Sequence, residues 1–459
     1  MSSARTPHNA AAATITWEPI TAFEESVLNG FPGLRRGLIT LVAVTLVGLP
    51  GTAGAVHTVR TTAPEQRQAV TSSSTERELR RRLDAVHDAG MPGIQAAFRR
   101  GDRSLAEAAG VADTRTERPL RAGFHHRIGS VTKTFVATAL LQQVEAGRVD
   151  LDSPVGRYLP ELVPGERGQL ITVRMLLNHT SGIADYADVL FGSIARGSLA
   201  DLDENRFRHH SPAELVATGL NQPPTNAPGE SWSYSNTNYV IAGELLREVT
   251  GQSPRHYITR KIIHPLGLRD TYFPGSNPFV LGPHSKAYEA LYQLPERRGE
   301  YSVYNMTWAR GAGALISTPS ELNRFYRALF RGKLLAGESL AEMRRTVPVP
   351  GSPTMRYGLG LMRIDAGACG TLWGHDGKVW GMSTLSLHST DGSRQLSYGM
   401  NLTDYQRLDE NGRPVPHPID RQVRSLQNNV LCGANGSGNG PVRAPERRTV
   451  HGLTLAGVS

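Results

Sequence analysis

Strand-like sequence stands on both sides of a long helical middle, and this arrangement limits the fold more than any other feature of the chain. Residues 93–98 and 105–112 read as the first two strands of a sheet. Strand-like runs return at 313–316, 357–364, 372–374, 382–387 and 395–402. Between them lie Pro- and Gly-bearing turns and helical runs at 174–177, 212–220, 238–250 and 254–263. Strands bracketing helices place a cleft between an α/β part and a helical part. Ahead of the first strand, residues 76–89 have helical spacing, with Leu79, Leu83 and Val86 on one face and Thr75 as candidate N-cap. A second helix is expected over 130–146, burying Phe135, Leu140, Leu141 and Val144 and ending at Gly147.

The 459 residues suffice for one large catalytic unit or two ordinary domains. The formal charge is +9, but Lys and Arg are scattered and never interleave with aromatics as nucleic-acid binders require. The charge reads as a solvated surface, and no nucleic-acid partner is expected. Near the start, Arg35 and Arg36 precede the apolar stretch 37–49, then Ala53-Gly54-Ala55. That order reads as a signal peptide over 1–55, cleaved near Ala55, and implies an exported protein. The apolar run is short for a membrane span, so none is expected after cleavage. Residues 56–75 read as a Thr-, Ser- and Gln-rich linker, and 436–459 as a disordered tail. The two cysteines, Cys369 and Cys432, suggest one disulfide in an exported chain; the alternative is two unlinked buried thiols.

Three short motifs carry chemistry. Ser130 and Lys133 lie three apart at a predicted helix start, so their side chains share one face. A serine hydroxyl is a poor nucleophile until a base stands near it, and a desolvated lysine can be that base. The helix N-terminus favours negative charge developing at Ser130. By itself this pattern also fits a Ser cap followed by a surface Lys. Tyr234-Ser235-Asn236 sits in a turn leading into a helix. Its phenol can move a proton, and its amide can bond both Lys133 and a substrate carbonyl. His375-Asp376-Gly377 lies between two strand-like runs, where Gly377 lets a substrate approach closely. The backbone N–H groups of Ser130 and Lys378 are candidates for an oxyanion hole.

The three motifs, in this order, resemble those of the penicillin-recognising serine hydrolases, the DD-peptidases and β-lactamases. The Tyr-x-Asn element is similar to the class C β-lactamase branch, and His-x-Gly to its secreted serine D-alanyl-D-alanine carboxypeptidases. The resemblance covers about residues 80–435. It includes Asn178-His179-Thr180-Ser181-Gly182 with Asp185-Tyr186, the run 225–229, Trp308 with Gly311-Ala312-Gly313, and the two cysteines.

The resemblance implies an α/β (α+β) fold: an antiparallel sheet flanked by helices, with an inserted mostly helical subdomain and the active site in the cleft between. The hydrolase domain is expected over 76–435, its α/β part at about 76–135 and 306–435 and its helical part at about 136–305. The implied activity is that of a DD-carboxypeptidase or transpeptidase on peptidoglycan stem peptides, working through a Ser130 acyl-enzyme and inhibited by β-lactams. Lys133 and Tyr234 would move the proton, with Asn236 and His375 completing the catalytic set. Phe191 and Trp308 would wall the substrate cleft, Gly377 and Lys378 would line it, and Arg363 would anchor a substrate carboxylate. Cys369 and Cys432 match the family's own disulfide. A related esterase or D-aminopeptidase, an efficient β-lactamase and a non-catalytic wall-binding module are the alternatives. No metal cluster or nucleotide loop is evident, so no cofactor is expected, and a monomer is the expected state. One departure stands out. The family pattern has Thr at positions 376 and 378, where a hydroxyl can hold a carboxylate; this chain has Asp376 and Lys378. A desolvated, unpaired Asp376 would repel that carboxylate unless Lys378 offset it.

Overall fold

The computed structural model describes residues 64–194, 197–292, 298–410 and 412–432, together with residues 449–450 and 453–454. The candidate signal peptide and the first part of the linker lie outside the described residues. Within the tail, Thr449–Val450 pairs antiparallel with Leu453–Thr454, and its other residues lie outside the described ones.

A sheet closes the two ends of the domain on each other. Its strands, in chain order, are β1 (Gly93–Arg100), β2 (Arg103–Asp113), β3 (Arg118–Pro119), β4 (Val347–Pro348), β5 (Met355–Tyr357), β6 (Met362–Asp365), β7 (Thr371–Val379), β8 (Met382–Ser389) and β9 (Arg394–Met400). The spatial order is β3-β2-β1-β9-β8-β7-β6-β5-β4. Every neighbouring pair is antiparallel. The central junction sets Ile94 opposite Met400 and Arg100 opposite Arg394, so the first strand needs the last to complete it. Pro119 and Pro348 fall in the two outermost strands, where a missing N–H breaks no ladder.

Helices cover both faces, as an apolar sheet requires. On one face lie α1 (Pro64–Asp88) and a helix near the end of the domain, Pro418–Leu426. Leu79, Leu83 and Val86 pack with Ile419, Val423 and Leu426 against Leu385, Leu387, Leu396 and Tyr398 of the sheet. Each fully buried leucine there contributes about 2 kcal/mol. On the other face, α2 (Thr132–Glu145) is the centre of the second core. Thr132 through Leu141 are all buried, so the helix is encased rather than merely amphipathic. Phe135 stacks on Phe325 of the helix Pro319–Phe330, with ring centroids 3.7 Å apart.

Several local expectations change. The first helix begins at Pro64, so Thr75 lies inside it and residues 64–75 of the supposed linker are helical. Ser and Thr cost a helix only a few tenths of a kcal/mol each, too little to stop one anchored by buried leucines. Residues 310–313 are helical, and the strand expected at 313–316 shrinks to Ile316–Ser317. The run 357–364 is a hairpin, β5 turning into β6, because Gly360 takes a left-handed φ of +65°. Val144 is only half-buried.

Candidate active site

The chain reaches Ser130 through Gly129, whose φ of +52° turns it out of a short strand into a single 3-10 turn, Gly129–Val131. Thr132 secures that turn: its Oγ1 donates to Gly129 O at 2.7 Å and accepts from Leu315 N at 3.1 Å. The side chain of Lys133, in the first turn of α2, has no exposed surface. Burying an amine is costly unless hydrogen bonds replace its water. Lys133 Nζ contacts Ser130 Oγ at 3.1 Å, Asn236 Oδ1 at 2.8 Å and Ala312 O at 2.7 Å. Ser130 and Lys133 are therefore in contact inside the protein, and a surface lysine is ruled out.

The second motif converges on the same point. Tyr234 OH donates to Ser130 Oγ at 2.6 Å. Asn236 is the first residue of the helix Asn236–Thr250, which starts two residues earlier than expected. Its amide orientation is set from both ends: Oδ1 accepts from Lys133, and Nδ2 donates to Asp185 Oδ2 at 2.8 Å. Burial pushes the Asp185 carboxyl above the usual carboxylate range, against opposing help from the Ala187 N–H, Asn236 and the Lys133 charge. His179, held at a left-handed φ of 63°, lays its ring 4.4 Å from that of Tyr234. Its Nδ1 accepts from Ser235 N at 3.3 Å and pairs with Asn238 Nδ2 at 3.2 Å, which fixes the ring behind the phenol.

The third motif lies inside strand β7, not between strands. β8 pairs with β7 from Leu372 to Val379, but β6 reaches only from Thr371 to Gly374. From His375 onward no strand among the described residues pairs with the other edge of β7, which meets the turn that carries Ser130. A Cβ added to Gly377 would fall 1.9 Å from Ile128 O and 2.9 Å from Ser130 N. A Cβ added to Gly129 would fall 2.7 Å from Lys378 N. Only glycine at both positions brings the backbone nitrogens of Ser130 and Lys378 this close, as the proposed oxyanion hole needs.

Side chains of the third motif sit differently from expectation. His375 is fully buried, its Nε2 is 2.8 Å from Tyr357 OH, and burial lowers its pKa against the opposing pull of Asp376. Lys378 does not face Asp376: its Nζ is 2.7 Å from Asp404 Oδ1. Arg363 stands opposite Trp373 across β6 and β7. Side chains alternate along a strand, so Arg363 shares a face with Trp373 and His375, and Asp376 and Lys378 take the opposite face. The expected carboxylate anchor and the two departing positions are thus not brought together.

Phe191 and Trp308 do meet. Their centroids are 5.2 Å apart, edge to face, and Trp380 completes the cluster 5.0 Å from Phe191. Cys369 and Cys432 are bonded to each other, tying the turn before β7 to the end of the domain. Among the described residues no group of three or more His, Cys, Asp or Glu side chains converges as a metal site would need. No described helix is long and apolar enough to cross a membrane.

Sequence reasoning missed the roles of Asp185, Ala312, Tyr357, Trp380 and Asp404. Asp185 stood within a noticed segment, but its bond to Asn236 joins residues 51 apart. Tyr357 and Asp404 carried no motif at all.

Comparison with known proteins agrees with this geometry. The family model described as Beta-lactamase matches residues 75–396. A D-stereospecific amidohydrolase from Streptomyces sp. superposes with a TM-score of 0.68 at 36% identity, over 78% of this chain and 99% of that one. The D-amino acid amidase of Ochrobactrum anthropi SV3 gives 0.65 at 26% identity, over 77% and 99%. Penicillin-binding protein 4* of Bacillus subtilis (strain 168) is 28% identical across 69% of this chain and 70% of its own length. The sheet, the encased helix and the match over most of the domain lead to one conclusion: the chain belongs to the Beta-lactamase family of serine hydrolases and penicillin-binding proteins.

Proposed function

We propose that this protein is a serine amidohydrolase that cleaves the amide bond on the carbonyl side of a D-amino-acid residue. The observation that carries this reading is the double contact on Ser130 Oγ, from Lys133 Nζ at 3.1 Å and Tyr234 OH at 2.6 Å. Asn236 Oδ1 and Ala312 O can only accept, so they take two N–H bonds of Lys133. To act as the base, Lys133 must give up its third proton, which leaves its lone pair facing the Ser130 hydroxyl. Ser130 Oγ attacks the substrate carbonyl carbon and gives up its single proton to the Lys133 amine, while the Tyr234 phenol remains a donor that can relay a proton from Lys133 to the leaving nitrogen. The N–H groups of Ser130 and Lys378 take the charge that develops on oxygen. The carbon–nitrogen bond breaks, the amine leaves with the proton, and water hydrolyses the acyl-serine. Support for D-configuration comes from the amidohydrolase and amidase similarities. We assign the wall of the acyl side of the cleft to the aromatic cluster of Phe191, Trp308 and Trp380.

A D-alanyl-D-alanine carboxypeptidase that binds penicillin is the more specific second reading. It is favoured by the Cys369–Cys432 bond and by the similarity to a penicillin-binding protein. The disulfide and the Arg-led apolar segment at 35–49 also support work outside the cytoplasm. The test is hydrolysis of D- and L-phenylalanine p-nitroanilides by wild type and Ser130→Ala, with mass spectrometry of the trapped acyl-enzyme. Preference for the D form and loss of both turnover and adduct in Ser130→Ala are expected. An adduct on another residue, or preference for the L form, would overturn the reading.

A further inference from the structure

Where β7 carries its part of the chemistry, the sheet braces it from one side. β8 pairs with it along Leu372–Val379, while β6 stops at Gly374. The Lys378 N–H, one of the two candidate oxyanion donors, sits beyond that point. A donor is effective only while it stays aimed at the oxyanion, and a small displacement forfeits much of its value. The other support for this segment must come from outside the sheet.

A clasp of buried carboxylates supplies it. The short strands Tyr288–Glu289 and Leu402–Thr403 pair in parallel, with Glu289 beside Thr403. Asp404 follows directly and is only 6% exposed, and its Oδ1 accepts from Lys378 Nζ at 2.7 Å. Opening a salt bridge to so buried a carboxylate would leave its charge uncompensated, so the pair resists separation. Glu289 is buried as well. Its Oε2 accepts from Thr403 Oγ1 at 2.6 Å, and its Oε1 from Leu291 N at 3.0 Å. The turn joining β7 to β8 is tied to the same group, because Gly381 N donates to Thr403 Oγ1 at 3.0 Å. A Cβ added to Gly381 would fall 2.5 Å from Tyr288 N, so that turn lies directly on the clasp.

The backbone of the clasp is strained. Leu291 (φ 48°), Tyr292 (φ 58°) and Asp404 (φ 50°) all take left-handed conformations without being glycine. Tyr292 N donates to Asp404 O at 2.6 Å, which joins two of the three directly. Such residues cost energy and persist only where their surroundings over-determine them, as happens at functional sites.

Resting on the acyl-serine mechanism proposed above, we infer that Asp404, seated by Thr403 and Glu289, is a positioning residue that keeps the Lys378 N–H aimed at the developing oxyanion. Asp404 meets no reacting atom; it acts by gripping the side chain of the residue whose backbone is the donor. No bond-making step changes.

The experiment compares a D-phenylalanine methyl ester with its thionoester. Sulfur is larger than oxygen and a weaker hydrogen-bond acceptor, so the thionoester draws little from an oxyanion hole. Asp404→Asn should lower kcat/KM for the ester by about tenfold to a hundredfold and for the thionoester much less. The ester-to-thionoester ratio therefore falls. Lys378→Met keeps the backbone N–H but removes the ammonium, and it should lower the ratio as far. The double variant should lower it no further, since both changes remove one contact. An unchanged ratio in the variants, with the wild-type acyl-serine present, would overturn this inference alone, even if both rates dropped together. Losses that multiply in the double variant would overturn it too. A wild type that forms no acyl-serine with the ester would sink the mechanism on which the inference rests. The single variants alter opposite ends of the pair, so either one decides the matter where the other does not fold.

Discussion

Asn236 hands its Nδ2 hydrogen to Asp185 and keeps its Oδ1 for Lys133, both at 2.8 Å. Asp185 thereby decides which end of the amide faces the lysine, although it touches neither Ser130 nor Tyr234 through any hydrogen bond shown. Hydrogen bonds to a charged group contribute about 1.5–3 kcal/mol. Asp185→Ala is therefore expected to lower kcat by about tenfold to a hundredfold. Steady-state kinetics on a D-aminoacyl anilide measures this, and unchanged kcat would show that Asn236 is oriented without Asp185.

The same carboxylate predicts a pH effect. Burial raises the Asp185 pKa, so it takes a proton at a higher pH than an ordinary carboxyl does. Protonation replaces an anionic acceptor with a neutral one beneath Asn236. The acid limb of kcat/KM should therefore lie above the ordinary carboxylate range. Asp185→Asn should remove the contribution of this group to that limb, as a pH–rate profile of both proteins would reveal.

Asp188 carries a stability prediction. Its carboxyl is raised first by burial and then by the Asp185 charge. A raised carboxyl pKa means the folded protein holds this proton more tightly than the unfolded chain. The stabilising contribution is present below the unfolded pKa and is lost as pH rises through the folded one. Asp188→Asn should thus raise the melting temperature at alkaline pH and change it little at acidic pH. Melting curves at the two extremes check the sign, and equal shifts at both would rule out titration as the cause.

Gly377→Ala tests the contact between strand and turn. The added methyl would lie 1.9 Å from Ile128 O, so β7 or the Ser130 turn must shift. Losing one aligned oxyanion donor costs about a hundredfold to a thousandfold in kcat. Circular dichroism should show the fold retained while acylation slows; normal acylation would remove the Ser130–Lys378 pair from the mechanism.

The Cys369–Cys432 bond closes a separation of 63 residues. In the chain-entropy model a loop of that size stabilises by about 4 kcal/mol. Cys432→Ser should show a matching loss in denaturant titration, and wild type treated with reductant should approach the variant.

Much of this protein follows from local sequence. The helices expected at 212–220 and 238–250 form at 212–220 and 236–250, because apolar spacing and turn signals agree over short distances. Ser130 and Lys133 were legible as partners because one helical turn fixes their separation, and the resemblance of the surrounding segments named the family. Tertiary structure alone decided what lies opposite what. Lys378 turned to Asp404 because the chain after β9 passes that point, 26 residues on. Arg363 and Asp376 parted because strand register assigns them to opposite faces, and one residue of register reverses every side chain. His375 meets Tyr357 for the same reason, 18 residues away in sequence. Local patterns fix which residues form helices and strands. Charge pairing across a sheet depends on register and on contacts between distant segments, and those are settled only when the two cores pack.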